Sequence, residues 1–557
     1  MITGKVAVKR ISRWDVLAVL LSVAYFVFLY NYANIHAPIR VPFSIDEKSV
    51  LVTADMFLRD GSLQWTSLLN EKYQVNFFRP RGVVEIGLNR YATSNSIGFA
   101  LFLALSKSLQ ILQFVVPVLA VLGVLSAYLA TSMAYDKKAG LIVGSTLGII
   151  PTFVLYANTY MDIVPSISFY VMSLPAFLKY LKCGKTRYLV LCALFFSLSI
   201  FVRPYSAIFV IGYLAAIIGL PRSFRLKSLA IGAGSLCGFI IPLLVLNGHV
   251  YGDPLRVGYI TPGDANPVLA QEIGGGVYLT AFINHIVLLF PVLFLVGCLG
   301  LVVGIKTLNT PIRKALLTNL CVTSMAAFFA FGFFTRTSSF FEVTPFASEA
   351  RYLMPIYVCL VFGSYLFLKR ISEIGMKRVS VFVFSILMIS LLAGSMAANA
   401  LPNLVQVERS YSTQLQLVDT YLPSNSVIFT RYYDKVFFPT RQIALVYTNS
   451  DLAVNPFLRY IVPVSDVQRD VVPAIRNLLH DGFHVFLAQD VQFLAPAIAE
   501  AGLVVSTAYP AALGFFEVSL GNSNARSTPQ GTPSSCSLTI SSLSSRFCPL
   551  QGSLTGR

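Results

Sequence analysis

Two neighbouring carboxylates at a helix start, and arginines set beside apolar runs, are the residues of this sequence best placed to do chemistry. Ser44-Ile45-Asp46-Glu47 heads a segment in which Val50, Leu51, Ala54, Phe57 and Leu58 share one helical face, the pattern of a helix lying on a membrane surface. Ser44 and Glu47 have capping-box spacing, which gives Glu47 a structural task. Asp46 has only the helix dipole to explain it and could take a proton from a substrate hydroxyl. Asp162 opens an apolar run with Pro165 in its first turn. A helix cap is the plain reading of an Asp there, yet ionisable groups at membrane depth are costly and mark function. Two such carboxylates could also hold a divalent metal. Arg203, followed by Pro204, and Arg351 lie at the ends of other apolar runs. A guanidinium in that place either snorkels to the interface or clamps a phosphate bidentately. His249, Asp253, Arg256 and Tyr259 form a polar, aromatic cluster suited to a sugar or head group. His36, His285, His480 and His484 have no metal-ligand spacing.

The composition names the scaffold that must position these groups. Of 557 residues, 55% are hydrophobic and 12% charged, against roughly 25% charged in soluble domains. The apolar residues come in long runs, so the chain reads as a polytopic α-helical membrane protein. Runs of bridging length are Trp14–Ala33, Phe114–Met133, Ala139–Ala157, Ile163–Leu181, Leu229–Leu246, Phe282–Val303, Ala315–Phe334, Tyr352–Leu368 and Val379–Ala400. Arg203-Pro204 splits a further run into Tyr188–Val202 and Tyr205–Leu220, giving about 11 transmembrane helices. The net charge of +17 sits in alternate gaps, such as Lys137-Lys138, Lys182 to Arg187 and Lys369-Arg370. That is the positive-inside pattern rather than a nucleic-acid footprint. It sets the N-terminus in the cytoplasm and the candidate residues on the opposite face.

Residues 1–400 form the transmembrane core, with a large first extracytoplasmic loop at 34–96. Residues 401–520 read as a small extracytoplasmic α/β domain. Its strands are Ser426–Thr430, Gln442–Tyr447, His484–Gln489, Leu503–Ser506 and Phe515–Ser519, and its helices Asp470–Leu479 and Val491–Glu500. From residue 521 to 557 the chain is Ser-rich and reads as a disordered tail.

Five stretches, in this order, resemble motifs of the GT-C superfamily of membrane glycosyltransferases. They are Ser44-Ile45-Asp46-Glu47, Tyr160-Met161-Asp162-Ile163-Val164-Pro165, Phe201-Val202-Arg203-Pro204, Asn247 through Tyr259, and Glu349-Ala350-Arg351-Tyr352-Leu353-Met354-Pro355. The resemblance covers about residues 10–400 and is nearest to the dolichyl-phosphate-mannose-protein mannosyltransferase and aminoarabinose transferase-like branch. The chain departs from that pattern at Tyr91-Ala92-Thr93-Ser94-Asn95-Ser96, where relatives carry a proline-rich stretch.

The resemblance implies a GT-C-like fold and transfer of a hexosyl or pentosyl group from a polyprenyl-phosphate donor. The acceptor is a protein, lipid or glycan, and the reaction lies at the extracytoplasmic face of the plasma membrane. It implies catalytic roles for Asp46, Asp162 and Glu47, with Asp46 as the base. Arg203 and Arg351 would bind the donor phosphate, and His249, Asp253, Arg256 and Tyr259 would line the substrate loop. A divalent metal, if any, would fall to Asp46 and Asp162; the partners are the donor, membrane lipids and the acceptor, with no nucleic acid. Rival readings are a transporter or flippase of a lipid-linked saccharide, and a surface-polysaccharide ligase or polymerase. Against a transporter, the acidic residues gather at one face rather than at the bilayer midplane.

Overall fold

The computed structural model describes residues 12–36, 42, 44–87, 89–256, 258, 279–280, 282–304, 309–331, 349–397, 400–449, 451, 465–508 and 514–521. The tail beyond 521 and Tyr259 therefore lie outside the described residues. The helices of the first half are α1 (Arg13–His36), α2 (Ile45–Asp60), α3 (Leu68–Tyr73), α4 (Ile97–Ser108), α5 (Leu112–Ala134) and α6 (Lys137–Gly148). They continue with α7 (Pro151–Tyr156), α8 (Ile163–Cys183), α9 (Thr186–Val202), α10 (Val210–Ile218) and α11 (Arg222–Tyr251). Further helices run over Pro291–Gly304, Pro311–Phe331, Met354–Glu373, Lys377–Ala397 and Ala400–Tyr421.

Six described helices are long and apolar enough to cross a membrane, and two bent pairs would make eight. The bends, of 67° and 88°, fall just before Pro151 and Pro291. A proline lacks the N–H its helix needs and pushes the preceding residue out of the helical region. The other three expected spans are the short helices on either side of Arg203-Pro204 and the helix Pro311–Phe331, which fall outside that measure. The sequence reading also passed over α4. Its twelve residues are too few to span a bilayer, yet Phe99, Ala100 and Leu103 are fully buried.

With lipid around them, helices gain little from hiding apolar area and associate instead by close packing of small residues. A Cβ on Gly300 would sit 1.7 Å from the Gly363 carbonyl oxygen, so the helix Pro291–Gly304 packs backbone to backbone on Met354–Glu373. That seam fixes the helix whose entry turn carries Arg351.

The first loop folds into a three-stranded antiparallel sheet in the order β1 (Gln64–Thr66), β3 (Arg90–Thr93), β2 (Val83–Gly87). The C-terminal part forms a five-stranded sheet from β4 (Ser426–Thr430), β5 (Gln442–Leu445), β6 (His484–Ala488), β7 (Leu503–Thr507) and β8 (Phe515–Leu520). Its order is β5-β4-β6-β8-β7, with β4 parallel to both its neighbours and β8 antiparallel to β6 and β7.

The division at residue 401 does not separate two cores. Leu69, Phe77 and Phe78 of the first loop pack with Val427, Phe429 and Leu487 on one face of the five-stranded sheet. Val52 of α2 packs with Ile428, Phe437 and Phe515 on the other. The Phe77 carbonyl also accepts the Leu445 N–H at 2.8 Å. Arg81 closes the joint: its backbone N–H and guanidinium donate to Asp434 at 2.7 to 2.9 Å, and the Asp434 side chain is 0% exposed. Breaking a buried pair by removing one partner costs about 3–5 kcal/mol. Asp434→Ala is therefore expected to lower the unfolding midpoint of the purified protein in detergent, with loop and C-terminal sheet becoming protease-sensitive together. Unfolding and cleavage unchanged from the native chain would show that the pair does not clamp them.

Candidate functional site

Helix α2 starts where its sequence demands. The Ser44 side chain accepts the Glu47 N–H at 3.2 Å, and the Glu47 carboxylate accepts the Ser44 N–H at 3.0 Å, a complete capping box. Glu47, only 1% exposed, does more than cap. Its Oε1 accepts the backbone N–H of Tyr160 at 2.5 Å, binding the head of α2 to the turn that leads into α8. Its neighbour Asp46 turns outward to Arg351, with Oδ2 and Nη2 3.2 Å apart.

Asp162 stands immediately before α8 but makes no side-chain cap, which corrects the capping reading of that residue. Its carboxylate accepts instead from Arg203 Nη1 at 3.2 Å. Arg203 is placed by the break it was expected to make: α9 stops at Val202, Arg203 adopts φ −144 and ψ 95, and Pro204 begins a 3₁₀ turn. Tyr352 joins the two pairs. The Arg203 and Arg351 guanidinium carbons lie 5.1 and 5.0 Å from its ring centroid, and Arg351 Nη2 donates to its hydroxyl at 3.2 Å. Arg351 Nη1 also reaches Met161 Sδ at 3.4 Å. Asp162 lies within electrostatic reach of Asp46, Arg203 and Arg351. Two carboxylates and two guanidinium groups thus converge around one tyrosine ring and sum to zero charge. Such a cluster can receive a phosphate on its arginines and a proton on its carboxylates.

Among the described residues, His249, Asp253 and Arg256 make no contact with this cluster. His249 and Val250 use their carbonyls to receive Gln64 Nε2. Asp253 makes a turn with the Leu255 N–H at 2.8 Å. Arg256 stacks on Tyr251 and reaches the carbonyl oxygens of Gly258 and Glu85. These contacts dock the end of α11 on the first-loop sheet. Asp46 and Asp162 each face an arginine, and among the described residues no three His, Cys, Asp or Glu side chains converge to hold a metal ion.

Tyr352 escaped sequence reasoning although it follows Arg351 directly, because an aromatic residue at a helix start looks like an interfacial anchor. So did the network under α2. Ser49 Oγ donates to the Asp46 carbonyl at 3.0 Å and meets Asn95 Nδ2 and Thr93 Oγ1 at 2.8 and 3.3 Å. Tyr251 donates to the Thr93 carbonyl at 2.7 Å, and Ser96 to that of Phe201 at 2.8 Å. A Cβ on Gly98 would lie 2.0 Å from that same oxygen. The stretch that departs from the proline-rich pattern, Tyr91–Ser96, thus holds α2 and the Arg203 break in one frame.

No protein-family model matches the chain, and no curated protein does. Among solved structures it is similar to ArnT from Cupriavidus metallidurans in the apo state, with a TM-score of 0.58, 12% identity, and 91% of this chain and 97% of that one covered. ArnT bound to undecaprenyl phosphate gives a TM-score of 0.53 and 13% identity over the same shares. The apo oligosaccharyltransferase of Archaeoglobus fulgidus gives 0.50 and 12%, covering 77% of this chain and 64% of that one. The chain therefore shares the overall fold of ArnT, a fold that the order of its acidic and arginine motifs led one to expect.

Hydrogen bonds to a charged group contribute about 1.5–3 kcal/mol each. Glu47→Ala, which strands the N–H groups of Ser44 and Tyr160, is expected to cost about 3 kcal/mol or more. Glu47→Gln, which keeps one acceptor oxygen, should cost about half of that, with both losses read as thermal unfolding in detergent. Equal stability of Glu47→Ala and the native protein would dismiss the carboxylate as the bridge.

Proposed function

We propose that this chain is a membrane glycosyltransferase that moves a sugar from a polyprenyl-phosphate donor to an acceptor hydroxyl or amine at the extracytoplasmic face. The observation that carries the reading is the pairing of Asp46 with Arg351 and Asp162 with Arg203 around the Tyr352 ring, where apolar helices begin and end. A lipid-phosphate donor needs apolar helices for its tail and guanidinium groups for its phosphate, and the site offers both. The undecaprenyl phosphate in one of the ArnT structures supports that class of donor.

In this reading the acceptor O–H gives its proton to Asp46 as its oxygen bonds to the sugar's anomeric carbon. The bond from that carbon to the phosphate oxygen breaks, and polyprenyl phosphate leaves with the electron pair. Arg203 and Arg351 offset the charge that grows on the leaving oxygen. Asp162 is a positioning residue that aims Arg203, and Glu47 one that aims Asp46.

Removing a general base lowers turnover by about 10²-fold or more. Asp46→Asn is expected to lose transfer to that degree in detergent while still binding undecaprenyl phosphate, whereas Arg203→Met weakens that binding. Transfer measured with polyprenyl-phosphate sugars from native membranes needs no sealed compartment, which a transporter would. Near-normal turnover of folded Asp46→Asn protein would remove the proposed base.

The orientation is tested separately. An impermeant thiol reagent added to intact cells is expected to label Glu71→Cys and to spare Lys138→Cys, both exposed positions. The reverse labelling would set the site on the cytoplasmic side.

A further inference from the structure

The carboxyl ends of the central strands of the C-terminal sheet carry aromatic and polar groups that the core does not use. β4 lies between β5 and β6, and the three run parallel. The helix after β4, Asp434–Phe437, packs on the sheet face that bears Ile428. The helix before β6, Val472–His480, packs on the face that bears Val427 and Phe429. The connections thus leave on opposite faces, and in open α/β sheets such a switch point takes ligands at the carboxyl ends of its strands.

Two aromatic rings stand exposed at those ends. Tyr432, two residues past β4, is 50% exposed, and Phe493, in the 3₁₀ turn that follows β6, is 41% exposed. Each ring has a guanidinium carbon over it, that of Arg81 5.2 Å from the Tyr432 centroid and that of Arg431 4.2 Å from the Phe493 centroid. Arg81 pairs with Asp434 and Arg431 with Asp451. Asp490, just past β6, accepts from the Thr430 hydroxyl and from the N–H groups of Arg431 and Tyr432 at 2.7 to 2.9 Å. Lys435 is within electrostatic reach of Asp434 and Glu47. Arg81, Arg431 and Lys435 therefore balance Asp434, Asp451 and Asp490 in charge, as Lys48 balances Glu47 beside them.

A balanced edge of this kind suits a neutral ligand. A sugar ring offers a C–H face of slight positive charge to the electron-rich face of an aromatic ring, and its hydroxyls need polar partners around that contact. Gln489, exposed directly after β6, makes no side-chain hydrogen bond among the described residues and offers both a donor and an acceptor. The edge also leads to the catalytic carboxylate. Two residues after Tyr432 the chain is clamped to the first loop by Asp434 and Arg81, and the next residue, Lys435, reaches the field of Glu47, the neighbour of Asp46.

We propose that the carboxyl ends of β4 and β6 form a saccharide subsite, with Tyr432 and Phe493 stacking on the glycan part of the acceptor. The proposal rests on the transfer reaction above and narrows its acceptor to a glycan. The joint between first loop and C-terminal sheet then aims the acceptor at Asp46 as well as clamping the fold.

The test uses the full chain in detergent, with fluorophore-labelled oligosaccharides released by mild acid from native cell envelopes as the probe and no donor present. The native protein is expected to bind them, and Tyr432→Ala and Phe493→Ala each to bind at least tenfold more weakly, with binding kept in Tyr432→Phe and Phe493→Tyr. Unchanged binding in both alanine variants, each shown to be monodisperse, overturns the subsite. So does a native protein that binds none of the oligosaccharides. Because binding is read without donor, it decides the subsite apart from the chemistry. A native chain that binds saccharide through the two rings, yet transfers sugar to no acceptor, leaves the subsite standing and removes the transferase reading.

Discussion

The site depends on one buried carboxylate. Glu47 gives up nearly all contact with water, a cost that only well-placed donors can offset, and it finds them in the backbone N–H groups of Ser44 and Tyr160. Those two donors belong to segments more than a hundred residues apart. By accepting from both, Glu47 locks the first turn of α2 to the turn before α8. Asp46 and Asp162 come from these same two segments, so their approach follows from that lock. Neither needs a contact with the other; each is turned toward an arginine brought in by a later helix.

The same economy governs the joint outside the helices. Arg81 and Asp434 are 353 residues apart and almost wholly buried, and aromatic side chains of the first loop complete the core of the C-terminal sheet. A sheet finished by residues from another part of the chain does not behave as an appended module. Cutting the chain after 401 would strip Phe77 and Phe78 of their cover and expose the face of α2 that carries Val52. The expected core of residues 1–400 and the expected domain of 401–520 are therefore joined in one packed body.

Local chemistry was legible in the sequence where one segment decides its own fate. The capping box announced α2, Arg203-Pro204 announced the break, and short apolar runs between turn residues announced β4 to β8. The pairing of Asp46 with Arg351 was not readable, because nothing in either segment names its partner. Asp162 misled for a related reason: an Asp before a helix looks the same whether it caps or reaches away. α4 was missed because a twelve-residue apolar run is too short for a span, and the rule for spans has no place for a short buried helix. Of the loop residues His249, Asp253 and Arg256, only Arg256 reaches the first-loop sheet with its side chain, while His249 does so through its carbonyl.

The charge balance of the cluster has a consequence for the order of events. Two carboxylates and two guanidinium groups balance in charge, and each carboxylate is held by an arginine that the proposed donor phosphate would also use. A phosphate drawn to Arg351 competes with Asp46 for the same guanidinium fork, and the carboxylate it displaces loses its stabilising partner. In the proposed reaction, donor binding would thus free Asp46 at the moment an acceptor hydroxyl must be deprotonated. Arg203 cannot play that part for Asp46, since its own partner is Asp162. In the proposed reaction the two pairs then part roles: a donor phosphate on Arg351 frees Asp46 for the acceptor, while Arg203 stays aimed by Asp162.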